Sequence, residues 1–338
     1  MGVRRVTLSA SKERYPHPKL SSVHEPYPRC DDVVQCELGF HPPYAWDALL
    51  AFLADRLIAQ VEHLNKGHYL RSLTLESMGK AYVGWVDVSL SPHTPALRVT
   101  ISSSLSDVIP QVLERVGRLF DVFHNPQDVA PAIQALLPIV GLRVPGAVDG
   151  FEVGVRAIVG QQVSIKAART LVGRIAQRFG DTVNTPDTMV VKTFPNAQIL
   201  AHCICSDLTA TGITAKRAAS IIALAQAVAN QTIVLSPEAP ISQTIAKLRE
   251  LPGIGEWTAQ YIAMRALSWP DAFPHTDLGV KHALGERRPK KILAMAESWR
   301  PWRAYATMAL WHSLSSDAPK RHNTYRRDTH ESSECRDH

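Results

Sequence analysis

Apolar residues fall at helical spacing from Trp46 to Ala59, where Leu49, Leu50, Leu53 and Leu57 share one face. The pattern then changes. His68–Leu75, Ala81–Leu90 and Ala96–Ser102 are rich in Val, Leu, Tyr and Thr and are broken by Gly79, Pro92 and Pro95, which reads as three strands separated by turns. Ser106–Phe123 returns to a helical period. Strands with segregated helices predict an α+β unit with a small antiparallel sheet over residues 36–121. Beyond Asp121 no stretch reads as a strand. Helices are expected at Phe151–Val159, Ser164–Phe179, Lys216–Ala229, Ser242–Leu251, Trp257–Leu267, Leu278–Leu284, Lys290–Trp299 and Trp302–Leu314. Residues 122–315 are therefore expected to form an all-α domain of many short helices. No fixed period recurs, so a solenoid is not expected. Residues 1–35 and 316–338 are rich in Pro, Ser, His and charge and poor in core-forming residues, and are expected to be disordered tails.

Composition adds a few exclusions. Of the 338 residues, 45% are hydrophobic and 20% charged, an ordinary globular balance. Lys and Arg number 37 against 31 Asp and Glu, a net charge of +6 that suits a polyanionic partner without specifying one. No apolar run approaches the ~18 residues of a membrane span. The N-terminus carries Arg4 and Arg5 but no apolar signal core, and Glu13 and the prolines do not suit a transit peptide, so a cytoplasmic location is expected. The five cysteines, Cys30, Cys36, Cys203, Cys205 and Cys335, match no zinc-site spacing and are expected to be reduced thiols, with no metal site.

One segment carries more chemistry than the rest: Leu248-Arg-Glu-Leu-Pro-Gly-Ile-Gly-Glu-Trp-Thr-Ala-Gln-Tyr-Ile262. A helix ends at Leu251, a tight turn Pro252-Gly253-Ile254-Gly255 follows, and a new helix starts at once. The glycines permit positive φ and close backbone approach. Free N–H groups at the start of the second helix are a ready phosphate site. An ordinary corner between two helices would use glycine too. Twenty residues after Trp257 comes Asp277, in Ala272-Phe-Pro-His-Thr-Asp-Leu-Gly-Val-Lys281. Asp277 can cap the helix Leu278–Leu284, and a capping bond would also aim its carboxylate.

The hairpin and the aspartate at this distance resemble the helix-hairpin-helix DNA glycosylases. The likeness extends to the AlkA-type branch, the 3-methyladenine DNA glycosylases II, through Pro42-Pro-Tyr-Ala-Trp46, Tyr69-Leu-Arg-Ser72, Gly141-Leu-Arg-Val-Pro-Gly146, the run Phe151–Ser164 with its Gly160-Gln-Gln-Val163, and Trp299-Arg-Pro-Trp-Arg-Ala-Tyr-Ala306. It covers about residues 37 to 315. It implies an N-terminal sheet domain similar to half of a TATA-binding-protein fold, and a helical core whose active cleft lies between two subdomains.

The resemblance implies roles residue by residue. Asp277 would be the catalytic carboxylate that stabilises an oxocarbenium-like sugar during base release. Bifunctional relatives carry a lysine nucleophile where this chain has Trp257, which implies hydrolysis without a Schiff base or lyase step. Trp257, Tyr261, Trp311 and Phe52 would line the pocket for an extruded base, where aromatic faces attract cationic alkylpurines. Gln162 would fill the gap left in the duplex, where some relatives carry leucine. Pro252, Gly253, Ile254, Gly255 and Trp257 would hold phosphates through backbone amides. Arg156, Lys166, Arg169 and Lys281 are further phosphate candidates. Family hairpins often hold a monovalent cation on loop carbonyls. Iron–sulfur relatives carry four clustered cysteines after the aspartate; only Cys335 lies there in this chain, so no cluster and no other cofactor is expected. Leu278 and His312 stand where the family has aromatics, which bears on substrate range. The implied activity is excision of alkylated bases such as 3-methyladenine and 7-methylguanine from double-stranded DNA, by a monomer, in base excision repair. Two alternatives remain at this point: a glycosylase for deaminated bases such as uracil or hypoxanthine, and a DNA-binding module without catalysis.

Overall fold

The computed structural model describes residues 33–129, 131–137 and 139–314. The expected tails, up to residue 32 and from residue 315, lie outside the described residues, as do Cys30 and Cys335. Five strands form one sheet: β1 Val33–Gly39, β2 Glu62–Asn65, β3 His68–Ser77, β4 Lys80–Leu90 and β5 Ala96–Ser102. Their order is β1-β5-β4-β3-β2, and every pair is antiparallel. The register sets Val86 opposite Ile101 and Val88 between Val99 and Tyr69. One face packs on α1 (Trp46–Ala54) and α2 (Ile109–Leu119), with Leu49, Val88, Val99 and Phe120 in its core.

The sheet corrects the sequence reading in several places. β1 begins at Val33, inside the segment expected to be a tail, because its partner β5 supplies the hydrogen bonds that its own sequence does not advertise. β2 is four residues of Glu, His, Leu and Asn, with no alternation to read. The first helix stops at Ala54 rather than Ala59; the chain turns so that the Ile58 N–H donates to the buried Glu62 carboxylate at 2.6 Å. Ser106–Phe123 is not one helix. A 3-10 segment, Ser103–Val108, precedes α2, Pro110 sits in its first turn, and the chain leaves it through Asp121 at φ 52°.

The remaining helices are α3 Pro131–Gln134, α4 Gly150–Val159, α5 Ile165–Phe179, α6 Ala197–Ala201, α7 Cys205–Thr209, α8 Ala215–Ala229, α9 Ile241–Glu250, α10 Glu256–Arg265, α11 Leu278–Leu284, α12 Pro289–Ala296 and α13 Arg303–His312. α3, α6 and α7 are too short to show a period. The helical half has two apolar cores. One gathers α4, α5 and α8, including Ile158, Ile175 and Leu224; the other gathers α10 to α13, including Met264, Val280, Trp299 and Met308. The segment Asp181–Thr193 lies against the second face of the sheet, where Val190 packs on Leu70 and Trp85.

A buried ionic lattice joins sheet to helices. Glu62 of β2 accepts from Tyr69 at 2.6 Å, Arg71 at 3.2 Å and Arg156 at 2.7 Å, and Glu152 of α4 accepts from Arg71 at 2.7 Å. Burial pushes the Glu62 carboxyl upward, but Arg156 and Arg71 outweigh it and hold it below the usual range. Removing one partner of such a lattice strands a buried charge, which costs about 3–5 kcal/mol.

Candidate active site

Asp277 lies between the helices of the second apolar core. It is the N-cap of α11, and its Oδ1 accepts the Val280 N–H at 3.0 Å. Two indoles reach it from other elements. Trp257, in the first turn of α10, donates Nε1–H to Oδ2 at 2.8 Å, and Trp311, near the end of α13, donates Nε1–H to Oδ1 at 2.8 Å. The loop before Asp277 is itself pinned. The Phe273 N–H donates to Gln260 Oε1 at 3.1 Å, and the Asp277 N–H to Pro274 O at 2.8 Å. At the loop's start Asp271 is gripped by Arg303, with bonds of 2.6 and 2.8 Å, and by Arg300 at 2.6 Å. The motif Trp299–Ala306 therefore acts as the clamp on this loop.

The four aromatic candidates come together from three separate stretches of chain. Trp257 stacks on Tyr261 with ring centroids 5.3 Å apart and 22° between planes. Tyr261 lies 6.2 Å from Trp311, and Trp311 lies 6.3 Å from Phe52 at 14°. Two arginines that the sequence reading missed support this cluster. Arg265 donates to Tyr261 Oη at 3.0 Å, and to the carbonyls of Pro145 at 2.6 Å and Gly146 at 2.9 Å. Arg56 stands 3.7 Å over the Phe52 ring. Burial raises the Tyr261 phenol, but Arg265 and Arg56 more than offset it and leave it below its ordinary value. The Gly141–Gly146 motif thus has a local reason: its carbonyls hold Arg265.

The hairpin has α9, the turn Leu251–Gly255 and α10. Gly253 has φ 76°, and a Cβ there would stand 2.2 Å from Ser220 Oγ. Gly255 differs: nothing lies within 4 Å of where its Cβ would be. Pro252 and Gly255 are exposed and Ile254 is buried in the core. The first N–H groups of α10 have no intrahelical acceptor and face outward from a positive helix end. Gln162 is exposed in the turn after α4 with φ 53°, a conformation uncommon outside glycine. Its neighbour Gln161, also missed from sequence, donates to Gly253 O and to Thr258 Oγ1, both at 2.9 Å.

Arg156 is corrected. It is not a surface phosphate candidate but a member of the buried lattice, bonded to Glu62, Glu152 and Arg56 O. Lys166 and Arg169 are exposed on α5, and Lys281 is half-buried. Leu278 is 78% exposed beside Asp277. Among the described residues no group of three or more His, Cys, Asp or Glu could hold a metal ion, and Cys36, Cys203 and Cys205 are free thiols. No helix among them is long and apolar enough to cross a membrane.

Residues 35–149 match the family model of the AlkA N-terminal domain, and residues 155–304 match that of the HhH-GPD superfamily base excision DNA repair proteins. DNA-3-methyladenine glycosylase 2 of Escherichia coli is 37% identical over 277 residues, covering 82% of this chain and 96% of that one. A probable bifunctional transcriptional activator/DNA repair enzyme AlkA of Mycobacterium tuberculosis is 33% identical over 83% of this chain and 57% of its own length. In structure the chain is similar to the 3-methyladenine DNA-glycosylase of Archaeoglobus fulgidus, with TM-score 0.69 at 19% identity over 82% of this chain and 97% of that one. Fold, hairpin and clamped aspartate point the same way as these likenesses: the chain belongs to the helix-hairpin-helix superfamily of base excision DNA repair proteins, in the family that carries the AlkA N-terminal domain.

Proposed function

We infer that this chain is a monofunctional DNA glycosylase that excises alkylated bases such as 3-methyladenine and 7-methylguanine from double-stranded DNA. The observation that carries the reading is the Asp277 carboxylate, held by Trp257, Trp311 and the Val280 amide at 2.8–3.0 Å. A carboxylate has about four acceptor sites. Three are filled by protein donors, so the group is immobile and presents the remaining one. Breaking the C1′–N bond develops positive charge on the sugar, and a fixed carboxylate stabilises that charge without reorganising. Water then adds at C1′. Alkylated purines are cationic and leave readily, so aromatic faces suffice to attract them and no strong general acid is required.

Trp257 in place of a lysine leaves no amine at the nucleophile position, which supports hydrolysis without lyase chemistry. In this reading the hairpin amides hold a phosphate, Gln162 enters the gap left by the extruded base, and the chain acts as a cytoplasmic monomer, nucleoid-associated in a bacterium, without a cofactor. A monovalent cation at the hairpin would sit on turn carbonyls, one of which, on Gly253, already accepts from Gln161.

The test is mass-spectrometric identification of bases released from methylated, deaminated and untreated duplex DNA by wild type and Asp277→Asn. Methylated bases should appear with wild type and be lost with the variant. No release by wild type, or undiminished release by the variant, overturns the reading. Release of uracil or hypoxanthine alone would move the substrate to deaminated bases. Borohydride should trap no covalent adduct.

A further inference from the structure

The second residue of α11 is a glycine, and the Trp311 ring lies against it. A Cβ at Gly279 would stand 2.9 Å from Cδ1 and 3.2 Å from Nε1 of Trp311, and 3.0 Å from Oδ1 of Asp277. Nε1 and Oδ1 are the donor and acceptor of one hydrogen bond. The backbone does not explain the glycine: Gly279 is helical and is not among the positive-φ residues. Helix propensity argues against it, since alanine is better in a helix. What the glycine provides is room for the indole.

We propose that Gly279 is a positioning residue: its missing side chain lets the Trp311 indole rest on the first turn of α11, where its N–H meets the Asp277 carboxylate. The inference rests on the reading of Asp277 as the reacting carboxylate. The indole cannot simply retreat from an added methyl group. Phe52 and Tyr261 flank it at 6.3 and 6.2 Å, and its backbone belongs to α13, which packs on α11 through the shared core of Val280 and Met308. An alanine would therefore displace the indole N–H from Oδ1, or turn the carboxylate away from it. In either case Asp277 loses one of its three restraints.

Gly279→Ala separates this role from a merely structural one, because the two predict different rates of excision. If only the helix matters, alanine leaves stability unchanged or raises it, and excision is unaffected. If Gly279 positions the indole, the crowding of Trp311 and Asp277 cancels the gain in helix propensity, so stability does not rise, and single-turnover excision of 7-methylguanine falls roughly tenfold or more, the scale of one hydrogen bond to a charged group. Binding to undamaged duplex stays unchanged, since the hairpin is untouched. In a Trp311→Phe background, which has no indole N–H, Gly279→Ala should add no further loss. The ¹H–¹⁵N signal of the Trp311 indole, assigned among the seven tryptophans by its disappearance in Trp311→Phe, should move in Gly279→Ala.

Wild-type excision by Gly279→Ala, an equal loss in both backgrounds, or an unmoved indole signal would overturn the proposal. The signal decides alone if Trp311→Phe is too slow to assay. Asp277→Asn is the separate control. If it keeps wild-type excision, the reading of Asp277 fails, whereas a moved signal still shows that Gly279 sets the indole. If it is inactive and Gly279→Ala is not, only the present proposal fails.

Discussion

The side-chain amide of Gln161 donates to the carbonyl oxygen of Gly253 at 2.9 Å, across ninety-two positions of sequence. It ties the turn that carries Gln162 to the hairpin. A second bond from the same amide, to Thr258 Oγ1, reaches the first turn of α10. Two surfaces proposed to meet DNA are thus held in one geometry by one side chain.

Gln161→Ala should uncouple them. Loss of the two bonds is expected to cost about 1–2 kcal/mol locally. Preference for a duplex with an abasic-site analogue over undamaged duplex should fall several-fold, because only the former calls on both surfaces. Titration of both duplexes by fluorescence anisotropy checks this, and an unchanged preference would count against the coupling.

The hairpin glycines should separate fold from binding. Gly253→Ala meets Ser220 Oγ and a positive φ, and should destabilise the chain by about 1–3 kcal/mol in urea unfolding. Gly255→Ala enters open space, so unfolding should shift by less than about 0.5 kcal/mol. Its effect should appear in DNA affinity, with the salt dependence unchanged, because a backbone amide carries no charge and releases no counterion.

Trp257→Phe keeps an aromatic ring beside Tyr261 but removes the N–H that reaches Asp277 Oδ2. Excision of 7-methylguanine should slow roughly tenfold with little change in duplex binding. A purely stacking role for Trp257 predicts near wild-type rates, and single-turnover kinetics distinguish the two.

His124 should contribute an acid-sensitive term to stability. It is buried against Tyr305 at 4.2 Å, and its Nε2 has no hydrogen-bond partner among the described residues. Burial, then Arg143 and His41, push its pKa from 6.5 down to about 3. Above pH 6.5 the imidazole is neutral folded or unfolded, and its contribution is fully present. As pH falls below 6.5 only the unfolded chain takes up the proton, so stability is lost progressively toward about pH 3. Asp121 runs the other way: burial raises it from 3.8 to about 6, so its protonation favours the fold as pH drops through that window. His124→Phe should remove on the order of 2 kcal/mol of the stability lost between pH 6.5 and 4.5. Urea unfolding at the two pH values measures it, and parallel losses in variant and wild type would refute it.

The parts legible in sequence were those with local causes. The turn Pro252–Gly255, the cap at Asp277 and the long helices α5, α8 and α10 each follow from residues within a few positions of one another. The four aromatic candidates were named too, but as residues implied by a family resemblance and not from local causes. Their arrangement was not legible. Nothing local says that Trp257 and Trp311, twenty and thirty-four positions from Asp277, turn their N–H groups to its two oxygens. Nor does anything local say that Gly279 makes room for one of them. β1 and β2 escaped notice because a strand is completed by its partner, here β5 and β3. Arg156 was read as a phosphate candidate because Glu62, which buries its charge, lies ninety-four positions away on β2, and Glu152, one turn back on α4, does not by itself mark a buried pair. The chain by itself determined its turns, caps and helical faces, since those depend on backbone freedom and hydrogen bonds spanning one or two turns. Only the tertiary structure decided which donors meet which acceptors, since buried polar groups must pair wherever packing brings a partner.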